Sequence, residues 1–320
     1  MTSPAPPPSV SDAVEALSRL LRAPPDAQSP ADSLDEARGL EGLAVALASG
    51  HDPAAGSEAS VSAMRELFRA LVTERLMSPS YVAAPGEDGA ASAESVLRVL
   101  QCARLLLRDR WFVRELVAVD GAVAALGGKY RAYAVRHWDA DDDAAAAAGG
   151  EKDERARDDR GDRAKSAFGV EILSELASVF KKLASDGESC PWRVLHDAAV
   201  PTTAAGLLPT RDASLLASAL VTLCVLVAAS EECAVPLLAS DGLDHLLHIF
   251  LEYAPPFKHL AGDLLHLVCR LRDGRREVRR LGGVTLVLGS LHAASGDEIA
   301  LEASLRCVLY TGPHTTALAW

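Results

Sequence analysis

Pairs of helical segments separated by a glycine break recur along this chain, and this recurrence limits the possible folds more than any other feature. The segment RREVRRLGGVTLVLGSL (275–291) begins as a basic helical turn, breaks at two glycines and continues as an apolar helix. The same arrangement occurs 41 residues earlier as AVPLLASDGLDHLLHIF (234–250), and again as RELVAVDGAVAALGG (114–128). A blurred copy, RVLHDAAVPTTAAGLL, occupies 193–208. A break that recurs in this way indicates a structural repeat.

Each repeat spans about 40 residues. It contains a short first helix, the break, a second helix, a polar turn and a long third helix. The third helices are AESVLRVLQCARLLLRD, VEILSELASVFKKLAS, DASLLASALVTLCVLVAAS, FKHLAGDLLHLVCRLRD and GDEIALEASLRCVLYTG. Because glycine tolerates a sharp backbone corner, we expect the first helix to meet the second nearly at right angles, with the glycines at 121, 242 and 283 at the corners.

This layout resembles the armadillo repeat over residues 93–320. The resemblance implies an all-α, right-handed superhelix of about four repeats, with the related HEAT repeat as the alternative. Aromatic residues make up only 5% of the chain, which favours close-packed helices over β-sandwiches. Residues 11–92 are predicted to form an N-terminal helical region with loops, and the Pro/Ser-rich residues 1–10 to be disordered.

A charged insert interrupts the repeats at residues 139–163, with ten acidic residues, five basic residues and hardly any large apolar side chain. Such a segment cannot bury enough apolar surface to offset the entropy of ordering it. We therefore expect residues 139–163 to form a disordered loop.

Charge and cysteine usage limit the partners and the compartment. The net charge of −12 argues against nucleic acid and anionic membranes as partners. The six cysteines form no Cys-x-x-Cys pair and the N-terminus has no apolar signal segment, which indicates a reduced, cytoplasmic protein. The uncharged stretch Ala213–Ser230 is interpreted as a buried helix, with a membrane span as the alternative.

One polar column runs through the middle of the third helices when their leucines are aligned. Its members are Gln101, Ser178, Thr222, His266 and Ser304, and the next turn adds Lys182 and Arg270. If the column lines the concave face of the superhelix, its donors and acceptors could hold an extended segment of a partner protein. The two basic residues favour an acidic or phosphorylated segment. The competing interpretation is that these side chains are buried and bond to carbonyl groups of their own helices.

Neither metal binding nor catalysis is predicted. His245, His248, His259, His266 and Cys269 gather in one repeat, but they show no His-Glu-x-x-His motif and no second ligand pair at a structural-site spacing. Partly exposed histidines on a polar face are the favoured interpretation, and a metal-dependent enzyme is the remote one. The chain has no phosphate-binding loop, nucleophile elbow or kinase motif, so no cofactor is expected.

A second resemblance concerns function. SVLRVLQCARLLLRDRWFVRELVAVDGAVAAL, VEILSELASVFKKLAS and REVRRLGGVTLVLGSLH are similar to the armadillo region of a NIMA-related protein kinase. The resemblance implies a regulatory arm, tied to the cell cycle or to cilia, as an alternative to a free-standing scaffold or adaptor. Nuclear-import armadillo proteins instead use Trp and Asn on the third helix. Here Trp111 and Trp192 fall in first helices and asparagine is absent, so import-receptor function is not predicted.

Overall fold

The computed structural model describes residues 10–22, 30–49, 57–82, 90–149 and 168–293, and all regular secondary structure within them is helical. The chain divides into two compact units, Met1–Ala198 and Ala199–Trp320, which we describe in turn.

The helices of the first unit are α1 (Val10–Arg22), α2 (Pro30–Ala48), α3 (Glu58–Ala70, continued by a π-helical turn Leu71–Leu76), α4 (Pro79–Val82), α5 (Ala93–Leu106), α6 (Arg110–Ala118), α7 (Ala122–Gly149), α8 (Gly169–Ser185) and α9 (Trp192–Asp197). Those of the second unit are α10 (Val200–Gly206), α11 (Ala213–Ala229), α12 (Val235–Ala239, preceded by a 3₁₀ turn Glu231–Ala234), α13 (Gly242–Glu252), α14 (Phe257–Arg270), α15 (Arg272–Arg280) and α16 (Gly283–Ala293).

The three-helix repeat is present as predicted. In the second unit, α12 and its preceding turn meet α13 at 89°, α13 packs against α14, and α14 packs against α11 of the preceding repeat. The third helices α11 and α14 therefore lie side by side. Trp111 lies in α6 and Trp192 in α9, and both of these are first helices.

The residue that forms the corner between a first and a second helix is not always the glycine that the sequence predicted. A left-handed backbone conformation occurs at Gly121 (φ 77°), Gly282 (φ 71°) and Ala199 (φ 57°), each directly before the first residue of a second helix. Gly242 and Gly283, which were expected at the corners, are instead the first residues of α13 and α16. A Cβ atom at Gly283 would lie 2.9 Å from Cγ1 of Val278, so this glycine permits close packing of the two helices.

In the first unit, the N-terminal helices extend the same row of packed helices. α2 packs against α5 as α5 packs against α8, so α2 takes the place of a third helix ahead of the first predicted repeat. The side chains of α8 show why these helices pack, because Ile172, Leu176, Val179 and Leu183 recur every three or four residues and all are buried. Burial of each such side chain contributes roughly 1.5–3 kcal/mol.

A buried ion pair fixes the N-terminal helices to one another. The guanidinium of Arg75 donates from Nε and Nη2 to the Glu36 carboxylate at 2.8 and 2.7 Å, and from Nη1 to the carbonyl of Leu21 at 3.0 Å. Arg75 is 1% exposed and Glu36 6%. The contacts thus join the π-helical turn to α2 and satisfy a carbonyl at the end of α1.

The structure also bears on the charged insert, which the sequence predicts to be a disordered loop. Helix α7 continues to Gly149, so residues 139–149 of the predicted loop are helical, and the alanine run at 144–148 explains this because alanine has the highest helix propensity. Residues 150–163 of the insert, residues 1–9 and Ser304 lie outside the described residues.

Helix α11, from the uncharged stretch, is a core helix packed against α10 and α14. Within the described ranges, no single helix could cross a membrane, although the bent pair α12 and α13 passes by combined length and composition.

Candidate functional site

The polar column predicted on the third helices falls into two pairs, one in each unit. In the first unit, Gln101 on α5 and Ser178 on α8 are both partly exposed, and their helices pack against each other. Lys182, one turn beyond Ser178, is exposed. All three positions in this unit are therefore accessible to solvent.

In the second unit the column is only partly accessible. Thr222 on α11 is 1% exposed, and its hydroxyl donates to the carbonyl of Ser218 at 2.8 Å. The groove prediction is therefore wrong for Thr222: α11 is packed on two sides by apolar helices, and a threonine there bonds to its own helix. His266 on α14 is half-buried, and Arg270, one turn later, is exposed.

Gln101 lies in a cavity of about 390 Å³ between α2 and α5. The helical period explains the cavity, because each helix contributes a stripe of residues three or four positions apart. Alanines 44 and 48 on α2 have no side chain beyond Cβ, which leaves room between two helices that otherwise pack closely. The lining residues are Glu41, Ala44, Val45, Ala48, Glu94, Leu97, Arg98, Gln101, Arg104, Leu105 and Phe168.

The floor and one wall of this groove, which we call the α2–α5 groove, are apolar. Leu97 and Leu105 are buried at its base, Val45 is 61% exposed at its edge and Phe168 is 36% exposed at the start of α8. Val45 and Phe168 thus add an exposed apolar edge to the buried apolar base. The groove can therefore accept an apolar side chain.

The rim of the α2–α5 groove is charged but internally paired. Arg98 donates to Glu41 at 2.9 Å and to Glu94 at 2.7 Å, and Arg104 is paired with Glu175 on α8. These pairs neutralise both guanidinium groups and tie α5 to its two neighbours. The amide of Gln101 makes no hydrogen bond to any residue in the described ranges, so both its donor and its acceptor can serve a ligand backbone.

The thiols near the third helices are unsuited to nucleophilic chemistry. Cys102, directly after Gln101, donates its thiol to the carbonyl of Leu40 at 3.2 Å, and burial raises its pKa to about 12. Burial also raises the pKa of Cys190 and of Cys224 to about 12. Protonated, enclosed thiols of this kind behave as small core residues.

The histidine-rich repeat shows no metal geometry in the part of the chain that the structure describes, since no three His, Cys, Asp or Glu side chains there could share an ion. His245 and His248 lie on α13, and His259 and His266 on α14, while Cys269 is buried. His248 instead makes an edge contact with Tyr253, with ring centroids 6.0 Å apart.

Solved structures similar to this chain include designed armadillo repeat proteins. A computationally designed armadillo repeat protein for modular peptide recognition has a TM-score of 0.61 and 12% identity, covering 94% of this chain and 99% of its own. The designed armadillo repeat protein YIII(Dq)4CqI has a TM-score of 0.59 and 12% identity, covering 95% and 100%. The fold is that of an armadillo-repeat protein. No family model matches the sequence.

Among curated proteins, the chain is similar to the serine/threonine-protein kinase Nek10. It is 27% identical to human Nek10 over 226 residues and 28% identical to mouse Nek10 over 226 residues. Each match covers 69% of this chain but only 16% and 17% of the respective kinase. This similarity agrees with the NIMA-related resemblance in the sequence, and the chain spans about a sixth of the relatives' length.

Sequence reasoning did not find the residues that α2 contributes to the groove. Glu41, Ala44, Val45 and Ala48 lie in a region assigned only as helical. Their spacing of i, i+3, i+4 and i+7 marks one helix face, but nothing in the sequence shows that this face packs beside α5.

Proposed function

We propose that this chain is a non-catalytic scaffold or adaptor that binds an extended segment of a partner protein along its third helices. The observation that carries this proposal is the α2–α5 groove, which combines an exposed apolar edge with the amide of Gln101. In this proposal an apolar side chain of the partner enters between Val45 and Phe168, while Gln101 bonds to the partner backbone. Each such hydrogen bond contributes roughly 0.5–1.5 kcal/mol net.

The similar structures support peptide binding as the mode. One designed armadillo repeat protein with a TM-score of 0.58 is in complex with the peptide (KR)4, and another was designed for modular peptide recognition. The finer proposal is that the partner segment is acidic or phosphorylated, and the exposed cations Lys182 and Arg270 on third helices support it. The proposed location is the cytoplasm, and the kinase resemblance adds an association with cilia to this proposal.

A random peptide display library selected on the full chain tests this function. Ala48→Arg places a long charged side chain in the groove, and Gln101→Leu removes the amide. Ala229→Arg is the matched control, because Ala48 and Ala229 are both exposed and both end a helix. Selected peptides should bind Ala48→Arg and Gln101→Leu at least about tenfold more weakly, or about 1.4 kcal/mol, and the control within about twofold. Equal affinity for all four proteins, or a selection that yields no binder, would contradict the proposal.

A second candidate function is the regulatory armadillo arm of a NIMA-related kinase, and the similarity to Nek10 favours it. In this case the chain would dock on a catalytic domain. The idea is tested by titrating this chain with an isolated NIMA-related catalytic domain. Calorimetry measures the heat of binding, and an assay measures the kinase activity. Absence of both heat and activity change at micromolar concentrations would contradict it.

A further inference from the structure

The first helix of the last described repeat carries an unusual concentration of positive charge. Residues 270–280 contain six arginines and two acidic residues, a net charge of +4 in a chain whose net charge is −12. Such a local reversal of sign marks a surface with a distinct electrostatic role.

The arginines of α15 form one stripe along the helix. At 100° per residue, Arg272, Arg276 and Arg279 lie nearly in line, and the flanking arginines widen the stripe to an arc of about 140°. Gly274 and Val278 occupy the opposite, buried face. We call this surface the α15 arginine stripe, and its members are Arg272, Arg275, Arg276, Arg279 and Arg280.

The α15 arginine stripe stands on a closely packed helix. A Cβ atom at Gly274 would lie 2.1 Å from the carbonyl oxygen of Val268, so α15 approaches the end of α14 as closely as a backbone can. Arg275 also donates from Nη1 to the carbonyls of Cys269 at 3.1 Å and Arg270 at 2.7 Å. Arg272 and Arg276, both exposed, are thus presented from a fixed backbone, which reduces the entropy lost on binding.

Helix stability does not account for the whole stripe. Arg279 and Arg280 lie in the last turn, where cations interact favourably with the helix dipole, and Arg280 is paired with Glu277 at 2.6 Å. Arg272 and Arg276 are exposed, and Arg272 occupies the first helical position, where the dipole disfavours a positive charge. A solvent-exposed arginine at the unfavourable end of a helix is better explained by an external ligand.

We propose that the α15 arginine stripe is a docking surface for an acidic segment, rich in Asp and Glu, of a partner protein. This inference rests on the proposed protein-binding function and names the chemistry of a contact made by residues outside the α2–α5 groove. The stripe runs about 12 Å along the helix, which matches several carboxylates of an extended segment better than one phosphate group. The acidic balance of the rest of the chain opposes nucleic acid.

The proposal is tested by measuring the binding of a ten-residue glutamate peptide with blocked termini to the full chain. Fluorescence anisotropy reports the binding. Arg272→Gln with Arg276→Gln should weaken binding about fivefold or more at low salt. The control, Arg131→Gln with Arg211→Gln, removes the same charge from other exposed positions and should weaken binding less than twofold. The difference between the two should shrink toward zero as NaCl rises to about 0.5 M, where the Debye length falls to roughly 4 Å.

Two additional proteins keep the outcome clear. Asp273→Asn, at the edge of the stripe, should tighten peptide binding about twofold because it removes a repelling carboxylate. Gln101→Leu, which alters the groove without changing the net charge, should leave binding of the glutamate peptide unchanged, so that failure of the groove and failure of the stripe are read separately. Equal weakening by both arginine pairs, no peptide binding at low salt, or tighter binding of a 20-base-pair DNA duplex than of the peptide would each overturn the proposal.

Discussion

Three residues with a left-handed backbone show what the corner between first and second helices requires. Gly121 and Gly282 adopt φ values of 77° and 71°, and Ala199 adopts 57° in the corresponding place of its repeat. For a residue with a Cβ atom this conformation costs roughly 1–2 kcal/mol. The fourth corner avoids the problem, because Asp241 directly before α13 has φ −70°. The turn between first and second helices therefore recurs in each repeat, although the residue directly before the second helix does not always have a positive φ.

Gly282→Ala should lower the free energy of unfolding by about 1 kcal/mol. No heavy atom lies within 4 Å of the Cβ position at Gly282, so the loss measures backbone strain alone. Gly128→Ala is the control: this glycine lies within α7, its Cβ position is also open, and alanine there should stabilise by about 0.5–1 kcal/mol. Urea unfolding of both variants checks the prediction, and an equal change in both would show that the corner is unstrained.

At the scale of elements, the Arg75–Glu36 pair joins helices that local contacts alone would leave separate. The pair spans 39 residues of sequence and connects α2 to the π-helical turn after α3. A buried pair is strongly destabilising to break but often nearly neutral to replace whole, because breaking it leaves one charge buried without its partner.

Arg75→Met should therefore cost about 3–5 kcal/mol, while Arg75→Met combined with Glu36→Leu should cost clearly less than that single change. The exposed pair Arg22–Glu66 supplies the comparison, since both its side chains are more than half exposed and Arg22→Met should cost at most about 1 kcal/mol. Thermal and chemical unfolding of the parent, Arg75→Met, Glu36→Leu and the double variant gives the double-mutant cycle. Additive losses at Arg75 and Glu36 would contradict the coupling.

At the scale of the whole molecule, two kinds of buried ionisable group change the free energy of unfolding with pH in opposite directions. Burial lowers the pKa of Lys129 to about 8, whereas burial raises the pKa of the Cys102 thiol to about 12. Between pH 8 and about 10.4 the unfolded chain holds the lysine proton more tightly than the folded chain, so Lys129 makes stability rise with pH. The buried thiol acts in the other direction above about pH 8.5, because the unfolded thiol ionises first.

Lys129→Met should consequently stabilise the protein by about 1–3 kcal/mol at pH 7, and the gain should disappear by about pH 10.5. Below pH 8 the ammonium is charged in both states and its burial is unfavourable, whereas above the unfolded pKa it is neutral in both. The stability difference between variant and parent isolates Lys129 from the cysteines. A difference that does not change between pH 7 and pH 10.5 would show that the Lys129 ammonium is fully solvated.

The sequence by itself determined the helical repeat, because both of its signals are local. Apolar residues at a spacing of three and four define the third helices α5, α8, α11 and α14, and the glycine breaks define the corners. The register of Gln101 and of Arg270 within their own helices also followed from helical periodicity.

The tertiary structure alone decided which of these faces are open. Thr222 and Gln101 occupy equivalent positions in the sequence pattern, yet Thr222 is enclosed by two neighbouring helices and Gln101 lines a cavity. The difference arises from the neighbouring helices, because alanines of α2 leave space beside Gln101 whereas the helices packed on α11 enclose Thr222. The pairing of Arg75 with Glu36 depends in the same way on which helices meet. Periodicity fixes the direction of a side chain relative to its own helix, whereas exposure depends on residues far away in the sequence.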